Sequence, residues 1–198
     1  MFSRVLVLAE GVTEEQVLPS LIQAYFGQSC SALGINCIGV GGVNYAPFIK
    51  MAVSFGIPVV VISDNESNIN TKVNKVIANI IDKFNLVLSS DVFYLQFLQP
   101  NNNFESELLG LYLRNEIIDA LMLAYKEKDS DEIHRQIKEQ ELNSSSNEQL
   151  FKEMKSSKST YSGFLADIIL ENPYNKDFKT LLSLPLNNAF EKIAEWIK

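Results

Sequence analysis

A short run of branched apolar residues, Val5–Ala9, constrains the fold more than any other feature of the chain. Such an uninterrupted run is typical of a strand buried on both faces in a parallel sheet. Glu10 and Gly11 follow directly, and a glycine suits a tight turn or a close backbone approach. Thr13 with Gln16 three residues later matches a capping box, which predicts the start of a helix. The segment therefore predicts a strand, a tight turn and a helix, with Glu10 at the carboxyl end of the strand.

The alternation of strand and helix continues along the first half of the chain. Further apolar runs predict strands at residues 36–40, 57–62 and 92–98, the last alternating enough for an edge strand. Apolar residues at helical spacing fill the intervals between the strands. This order predicts an α/β fold with a parallel sheet of about four strands and helices on both faces. If Glu10 and Asp64 share a site, the sheet order must be 2-1-3-4, with the site where the order reverses.

The second half of the chain has a different character. From about residue 113 the pattern is helical, without a strong strand run, and residues 126–159 are polar. Residues 143–147 are rich in serine and asparagine, which indicates a loop. We therefore expect a core at residues 1–112 and a C-terminal helical extension at residues 113–198 that packs on it.

Composition limits the classes of function. The net charge of −7 argues against a surface that is broadly coated by nucleic acid, but it allows a local nucleic-acid site. Cys30 and Cys37 are the only cysteines, and His134 is the only histidine, so a zinc site of the usual kind is not expected. We expect two buried free thiols in a reduced compartment, with a disulfide as the open alternative. No apolar run approaches the length of a membrane span, and the first residues lack a signal-peptide pattern, which predicts a cytoplasmic protein.

Acidic residues follow three of the predicted strands. The three groups are Glu10 with Glu14, Asp64 with Glu66, and Glu105 with Glu107. Crowded carboxylates repel one another unless cations neutralise them, and their hard oxygen atoms select Mg²⁺ or Mn²⁺. One or two such ions could activate water and stabilise the leaving oxygen at a phosphate. The simpler interpretation is that Glu14 and Glu15 favour the dipole of the first helix and that the other acids occupy ordinary turns.

Four short motifs stand out along the chain: Leu8-Ala9-Glu10-Gly11-Val12-Thr13-Glu14, Gly39-Val40-Gly41-Gly42, Val61-Ile62-Ser63-Asp64-Asn65-Glu66 and Phe104-Glu105. They resemble those of a Toprim domain, the metal-binding α/β module of topoisomerases, bacterial primases, RecR-type repair proteins and OLD-family nucleases. They resemble the OLD (overcoming lysogenisation defect) nucleases most closely, over roughly residues 4–110 and only loosely beyond. The resemblance implies the Rossmann-like Toprim sheet, with residues 1–112 as the catalytic core.

The resemblance also implies roles for particular residues. Its implied metal ligands are Glu10, Glu14, Asp64, Glu66 and Glu105. Glu10 would be the central ligand or base, and one or two Mg²⁺ or Mn²⁺ ions would be the cofactor. OLD-type nucleases also use a lysine ahead of a C-terminal helix, and Lys158 is the best match, with Lys155 as the alternative. That lysine would stabilise charge that develops on the phosphate, although a solvated helix end would explain either lysine equally well.

Two departures from the family pattern bear on this interpretation. The usual Asp-x-Asp is Asp64-Asn65-Glu66 here, so that the second ligand is longer by one methylene group. The ATPase domain that normally precedes this module in the family is not part of the sequence, so we expect it elsewhere in a longer protein or on a separate subunit.

Residues 39–42 favour a tight turn over a phosphate-binding loop, because the Gly-Lys-Ser/Thr of a nucleotide P-loop is missing.

The expected function is a metal-dependent DNA endonuclease domain of OLD-like Toprim type that acts in DNA processing or anti-phage defence. DNA and an ATPase domain or subunit are the expected partners, a homo-oligomer remains open, and no membrane is involved. The first alternative is a non-catalytic Toprim scaffold in a repair or defence complex. The second is a receiver-like signalling module, which also carries acids after its first and third strands.

Overall fold

The computed structural model describes residues 3–171 and 177–198. Its sheet has four strands: β1 (Val5–Ala9), β2 (Ile35–Gly39), β3 (Val59–Ser63) and β4 (Phe93–Phe97). All neighbouring strands are parallel, and the order across the sheet is β2-β1-β3-β4. The predicted order 2-1-3-4 and the predicted position of the fourth strand at an edge are therefore confirmed.

Helices connect the strands and make up the second half of the described chain. They are α1 (Val12–Phe26), α2 (Cys30–Leu33), α3 (Ala46–Ser54), α4 (Ile69–Phe84), α5 (Phe104–Gly110), α6 (Arg114–Lys126), α7 (Glu132–Ser144), α8 (Asn147–Ser156), α9 (Lys158–Glu171), α10 (Phe178–Leu181) and α11 (Leu184–Ile197). The loop predicted at residues 143–147 is shorter than expected, because α7 runs through Ser144 and α8 begins at Asn147. Ser146 and Gln149 form a capping box at the start of α8.

Both faces of the sheet are covered by helices, as predicted. Successive side chains of a strand point to opposite faces, so β1 contributes to two separate cores. Val5 and Val7 pack in the core on the α1 face, whereas Leu6 and Leu8 pack in the core beneath α3 and α4. Burial on both faces explains why the β1 sequence is uninterrupted by polar residues.

The helices that follow residue 112 extend the core on the α1 face. The most extensive helix packing in the described chain joins α1 to α9, and α9 packs in turn on α6. Tyr161 and Leu165 of α9 and Phe190 of α11 lie in the same apolar cluster as Val5 and Val7 of the sheet. This packing places the first turn of α9 beside the first turn of α1, close to the carboxyl edge of the sheet. The division at residue 112 stays a prediction.

The predicted capping box of the first helix is wrong. Helix α1 begins at Val12 with Gly11 as its N-cap, two residues before the predicted cap Thr13, and no side-chain hydrogen bond caps it. Thr13 is buried, and its hydroxyl donates to Glu105 Oε1 at 2.9 Å. Gln16 accepts a hydrogen bond from Ser162 of α9. Both polar side chains are therefore engaged in tertiary contacts and leave the helix start uncapped.

Two further expectations concern the cysteines and membranes. Cys30 and Cys37 are free thiols and lie partly exposed rather than fully buried. Across residues 3–171 and 177–198, no helix has the length and apolar character needed to cross a membrane.

Candidate active site

Glu10 and Asp64 lie next to each other because β1 and β3 are adjacent parallel strands. Each residue directly follows the last position of its strand, and parallel strands end at the same edge of a sheet. Ser63, the last residue of β3, joins the two positions. Its buried hydroxyl donates to Glu10 Oε1 at 2.7 Å. The predicted pairing of the first and third strands thus brings Glu10 and Asp64 together.

The glycines after β2 shape the backbone around Glu10. The Gly42 amide donates to the Glu10 carbonyl at 2.8 Å, and Gly42 has a φ of 85°, a conformation that L side chains rarely adopt. A Cβ atom at Gly39 would lie 2.8 Å from the Gly11 carbonyl oxygen. The end of β2 therefore packs directly against the β1–α1 turn, and the turn at residues 39–42 is a tight turn that supports Glu10.

The loop between β4 and α5 holds the acidic residues that follow β3. The Phe104 amide donates to Asp64 Oδ1 at 3.0 Å, and the Asn103 side chain donates to Glu66 Oε2 at 3.3 Å. Asn103 also caps α5, because its side chain accepts from the Ser106 amide. The start of α5 is consequently fixed against the carboxyl end of β3, which brings Glu105 towards Asp64.

Glu105 is the most deeply buried of the predicted ligands, with only 2% of its surface exposed. Its Oε1 accepts from the Thr13 hydroxyl at 2.9 Å and forms an ion pair with Lys158 Nζ at 2.7 Å. Glu107 is equally buried but has a structural role. It accepts hydrogen bonds from the Gln99 amide and the Asn102 side chain and thereby fixes the loop before α5. Only Glu105 of this pair joins the other acids.

Lys158 and Lys155 occupy different surroundings. Lys158 is the first residue of α9, and its half-buried side chain reaches Glu105. Burial lowers the pKa of Lys158, but the hydrogen bond to Glu105 and the charges of Glu105, Glu14 and Asp64 outweigh it, so that the pKa is raised and the ammonium is retained. The ammonium of Lys155 instead lies 4.7 Å from the centre of the Phe151 ring. The structure thus places Lys158, and not Lys155, among the acids.

Electrostatics show that the five acids interact. We call Glu10, Glu14, Asp64, Glu66 and Glu105 the carboxylate cluster. The pKa of Asp64 is raised to about 8, chiefly by burial and then by the negative charges of the other four members. The pKa of Glu14 is raised to about 7, again chiefly by burial, with Glu105 and Glu10 adding to the increase while its own backbone amide and Lys158 oppose it. Like charges are therefore crowded together around Asp64 and Glu14.

Several residues that contact the carboxylate cluster were not predicted from the sequence. Ser63 and Thr13 each donate a hydrogen bond to one member of the cluster. Two completely buried tyrosines, Tyr45 and Tyr161, lie close enough for the acids to raise the pKa of each phenol beyond the effect of burial. Ser63 could have been suspected, because it directly precedes Asp64, but nothing in the pattern identifies the tyrosines.

The cluster fits a hard divalent cation by its chemistry. Among residues 3–171 and 177–198, no three histidine, cysteine or acidic side chains already lie in an arrangement that could hold a metal ion. The donors are nevertheless all carboxylates, which are the ligands that Mg²⁺ and Mn²⁺ prefer. The raised pKa values of Asp64 and Glu14 arise partly from repulsion that a cation would relieve.

Comparisons with known proteins agree with the fold. The chain has the same fold as the C-terminal region of the Burkholderia pseudomallei OLD protein, with a TM-score of 0.65 at 19% identity and complete coverage of both chains. The C-terminal region of the Xanthomonas campestris pv. campestris OLD protein gives a TM-score of 0.66 at 19% identity and covers 100% of this chain and 97% of that one. No curated protein sequence matches the chain significantly.

The sequence itself carries a family match in its first third. Residues 1–65 match the family model described as "Overcoming lysogenization defect protein-like, TOPRIM domain". The matched segment includes Glu10, Glu14 and Asp64, whereas Glu105 and Lys158 lie beyond it. Residues 1–65 are therefore similar to an OLD-like Toprim domain, and the chain has the fold of the C-terminal region of OLD proteins.

Proposed function

We propose that this chain is a metal-dependent DNA endonuclease domain that nicks or cleaves DNA. One observation carries the proposal: Glu10, Asp64 and the Glu105–Lys158 ion pair, which come from four separate segments, converge at the carboxyl edge of an OLD-like Toprim sheet. Buried carboxylates are costly unless they are paired or bind a metal ion. Their accumulation beside Lys158 therefore supports a site for a cation and an anionic substrate.

Each residue of the site would have a distinct chemical role. Glu10, Glu14, Asp64, Glu66 and Glu105 would hold one or two Mg²⁺ or Mn²⁺ ions. When bound, such a cation lowers the pKa of water and stabilises charge on the phosphate. Glu10 is oriented by the Ser63 hydroxyl and accepts a proton from the attacking water, or binds the cation directly. Lys158 is held by Glu105, remains protonated and donates to a phosphate oxygen as negative charge develops there.

The chain has 24 acidic and 17 basic residues, so its own affinity for DNA should be low. An ATPase domain or subunit would supply much of the DNA binding. The proposed role is in DNA processing or anti-phage defence, and the proposed location is the cytoplasm.

Cleavage of supercoiled plasmid DNA tests the proposal. We expect nicking with Mn²⁺ or Mg²⁺, no cleavage with EDTA, and loss of cleavage in Glu10→Gln without a change in the circular-dichroism spectrum. Glu15→Gln is the matched control, because Glu15 is exposed in the first turn of α1 and lies against Gly39 instead of the cluster. Full activity of Glu10→Gln would refute the site. Mn²⁺ binding without any cleavage would favour a non-catalytic Toprim scaffold.

A further inference from the structure

Two buried phenol groups beside the carboxylate cluster have unsatisfied hydroxyls. Tyr45, just before α3, and Tyr161, in α9, each have 0% of their surface exposed. Within the described chain, neither hydroxyl has a hydrogen-bond partner. Leaving a buried donor unpaired typically costs about 1–3 kcal/mol, so a phenylalanine would suit either position better if only packing mattered.

Each phenol lies beside the hydroxyl of a residue that already bonds to a carboxylate. On one side of the cluster, the Ser63 hydroxyl donates to Glu10 Oε1 at 2.7 Å. Burial raises the pKa of Tyr45 most and the charge of Glu10 raises it further, whereas Ser63 lies close enough to stabilise the phenolate and so opposes the shift. The Tyr45 and Ser63 hydroxyls are therefore neighbours.

The same arrangement recurs on the other side of the cluster. The Thr13 hydroxyl donates to Glu105 Oε1 at 2.9 Å. Burial and then the charge of Glu105 raise the pKa of Tyr161, whereas Thr13 lies close enough to stabilise the phenolate and so opposes the shift. On both sides of the cluster, a tyrosine therefore lies beside a serine or threonine hydroxyl, which in turn donates to a carboxylate.

We propose that Tyr45 and Tyr161 are positioning residues for the carboxylate cluster: the Tyr45 hydroxyl would bond to Ser63, and the Tyr161 hydroxyl to Thr13, in the state in which Glu10 and Glu105 hold a divalent cation. A serine or threonine hydroxyl that donates to a carboxylate can still accept a hydrogen bond. Each phenol would donate to that oxygen and hold the hydroxyl in the orientation that serves the carboxylate. The inference depends on the cation of the proposed function, but it does not depend on DNA cleavage.

The proposal predicts effects of opposite sign with and without metal. In the metal-free protein, Tyr45→Phe and Tyr161→Phe remove an unpaired buried hydroxyl and keep the ring, so the melting temperature should stay equal or rise. In the metal-bound protein the same changes remove an outer hydrogen bond. Outer-shell partners typically contribute about 10–100-fold to metal affinity, and we expect about tenfold weaker Mn²⁺ binding because these phenols act through one intervening residue.

Isothermal titration with Mn²⁺ and thermal melting with and without Mn²⁺ test the inference on the full chain. Tyr94→Phe is the matched control, because the Tyr94 hydroxyl in β4 already donates to Gln96. It should lower the metal-free melting temperature slightly and leave Mn²⁺ affinity unchanged. Ser63→Ala should also weaken Mn²⁺ binding, and adding Tyr45→Phe to Ser63→Ala should have no further effect, because Tyr45 acts through Ser63.

The outcomes separate this inference from the proposed function. Wild-type Mn²⁺ affinity in both phenylalanine variants would overturn the inference even if the protein cleaves DNA. Weakened Mn²⁺ binding in a chain that never cleaves DNA would support the inference and refute the nuclease. An equal loss of affinity in Tyr94→Phe, or additive losses in the Ser63 and Tyr45 double variant, would also overturn it.

Discussion

At the scale of single residues, Asp64 shows how burial and crowding act on a carboxylate. Its pKa rises from an ordinary 3.8 to about 8, because burial and the surrounding acids disfavour its charge. The unfolded chain gives up this proton near pH 4, whereas the folded chain retains it until about pH 8. The folded state therefore binds more protons in this window, and the contribution of Asp64 to stability falls as pH rises through it.

We predict that Asp64→Asn removes this pH dependence in the metal-free protein. Its free energy of unfolding should equal that of the wild type near pH 4 and exceed it increasingly towards pH 8, because the amide carries no charge to repel. Urea unfolding at several pH values in EDTA measures the difference. A difference that is independent of pH, or that favours the wild type at high pH, would contradict the assignment of Asp64 to the cluster.

Lys158 is the second residue whose position leads to a prediction. Lys158→Gln should lower plasmid cleavage by about 100-fold, because it removes a positive charge from the place where phosphate charge would develop. Lys155→Gln is the control, since the Lys155 ammonium lies over Phe151 and away from the cluster. Initial rates at saturating Mn²⁺ measure both variants. An equal loss of cleavage in Lys155→Gln would show that the two lysines act through general attraction of DNA and that Lys158 has no specific role at the site.

At the scale of elements, the end of β2 and the β1–α1 turn form one unit. Gly39→Ala should destabilise the protein by about 1–3 kcal/mol, because the new Cβ would lie 2.8 Å from the Gly11 carbonyl, a backbone atom that cannot easily move. The same turn also supports Glu10, because the Gly42 amide donates to the Glu10 carbonyl. Gly39→Ala should therefore lower the Mn²⁺ affinity as well as the stability.

Gly163→Ala is the matched control for this unit. Gly163 lies within α9, and a Cβ atom added there would meet no atom of the described residues within 4 Å beyond its own stretch of helix. The alanine should therefore stabilise the helix by about 0.5–1 kcal/mol and leave Mn²⁺ affinity unchanged. Chemical unfolding and Mn²⁺ titration measure both variants. Wild-type stability of Gly39→Ala would show that the two segments are not in close contact.

At the scale of the whole molecule, net charge limits the affinity for DNA. With a formal charge of −7, the chain should bind DNA weakly, and the binding should be lost at moderate salt, since affinity depends on the number of phosphates that cationic side chains neutralise. Fluorescence anisotropy with labelled duplex DNA at increasing salt measures this property. Tight binding that resists salt would contradict it and would remove the need for an ATPase partner.

The sequence by itself determined the order of elements and the outline of the site. Strands buried on both faces have to be continuously apolar, so Val5–Ala9 and the other strands could be recognised locally. The carboxyl ends of parallel strands meet at one edge, so Glu10 and Asp64 could be placed at the same edge of the sheet from the sequence. Lys158 could be suggested only through the family resemblance, because no local rule connects it to that edge.

Only the tertiary structure decided how polar side chains are used. The spacing of Thr13 and Gln16 fits a helix cap, yet the packing of α1 against α5 and α9 offers them Glu105 and Ser162 as partners. Glu107 repeats the acidic pattern of its neighbour, but the helix turns it towards the loop before α5. Tyr45 and Tyr161 resemble ordinary core residues along the chain. They lie near the carboxylate cluster only because distant segments pack together, and local sequence patterns do not encode such contacts.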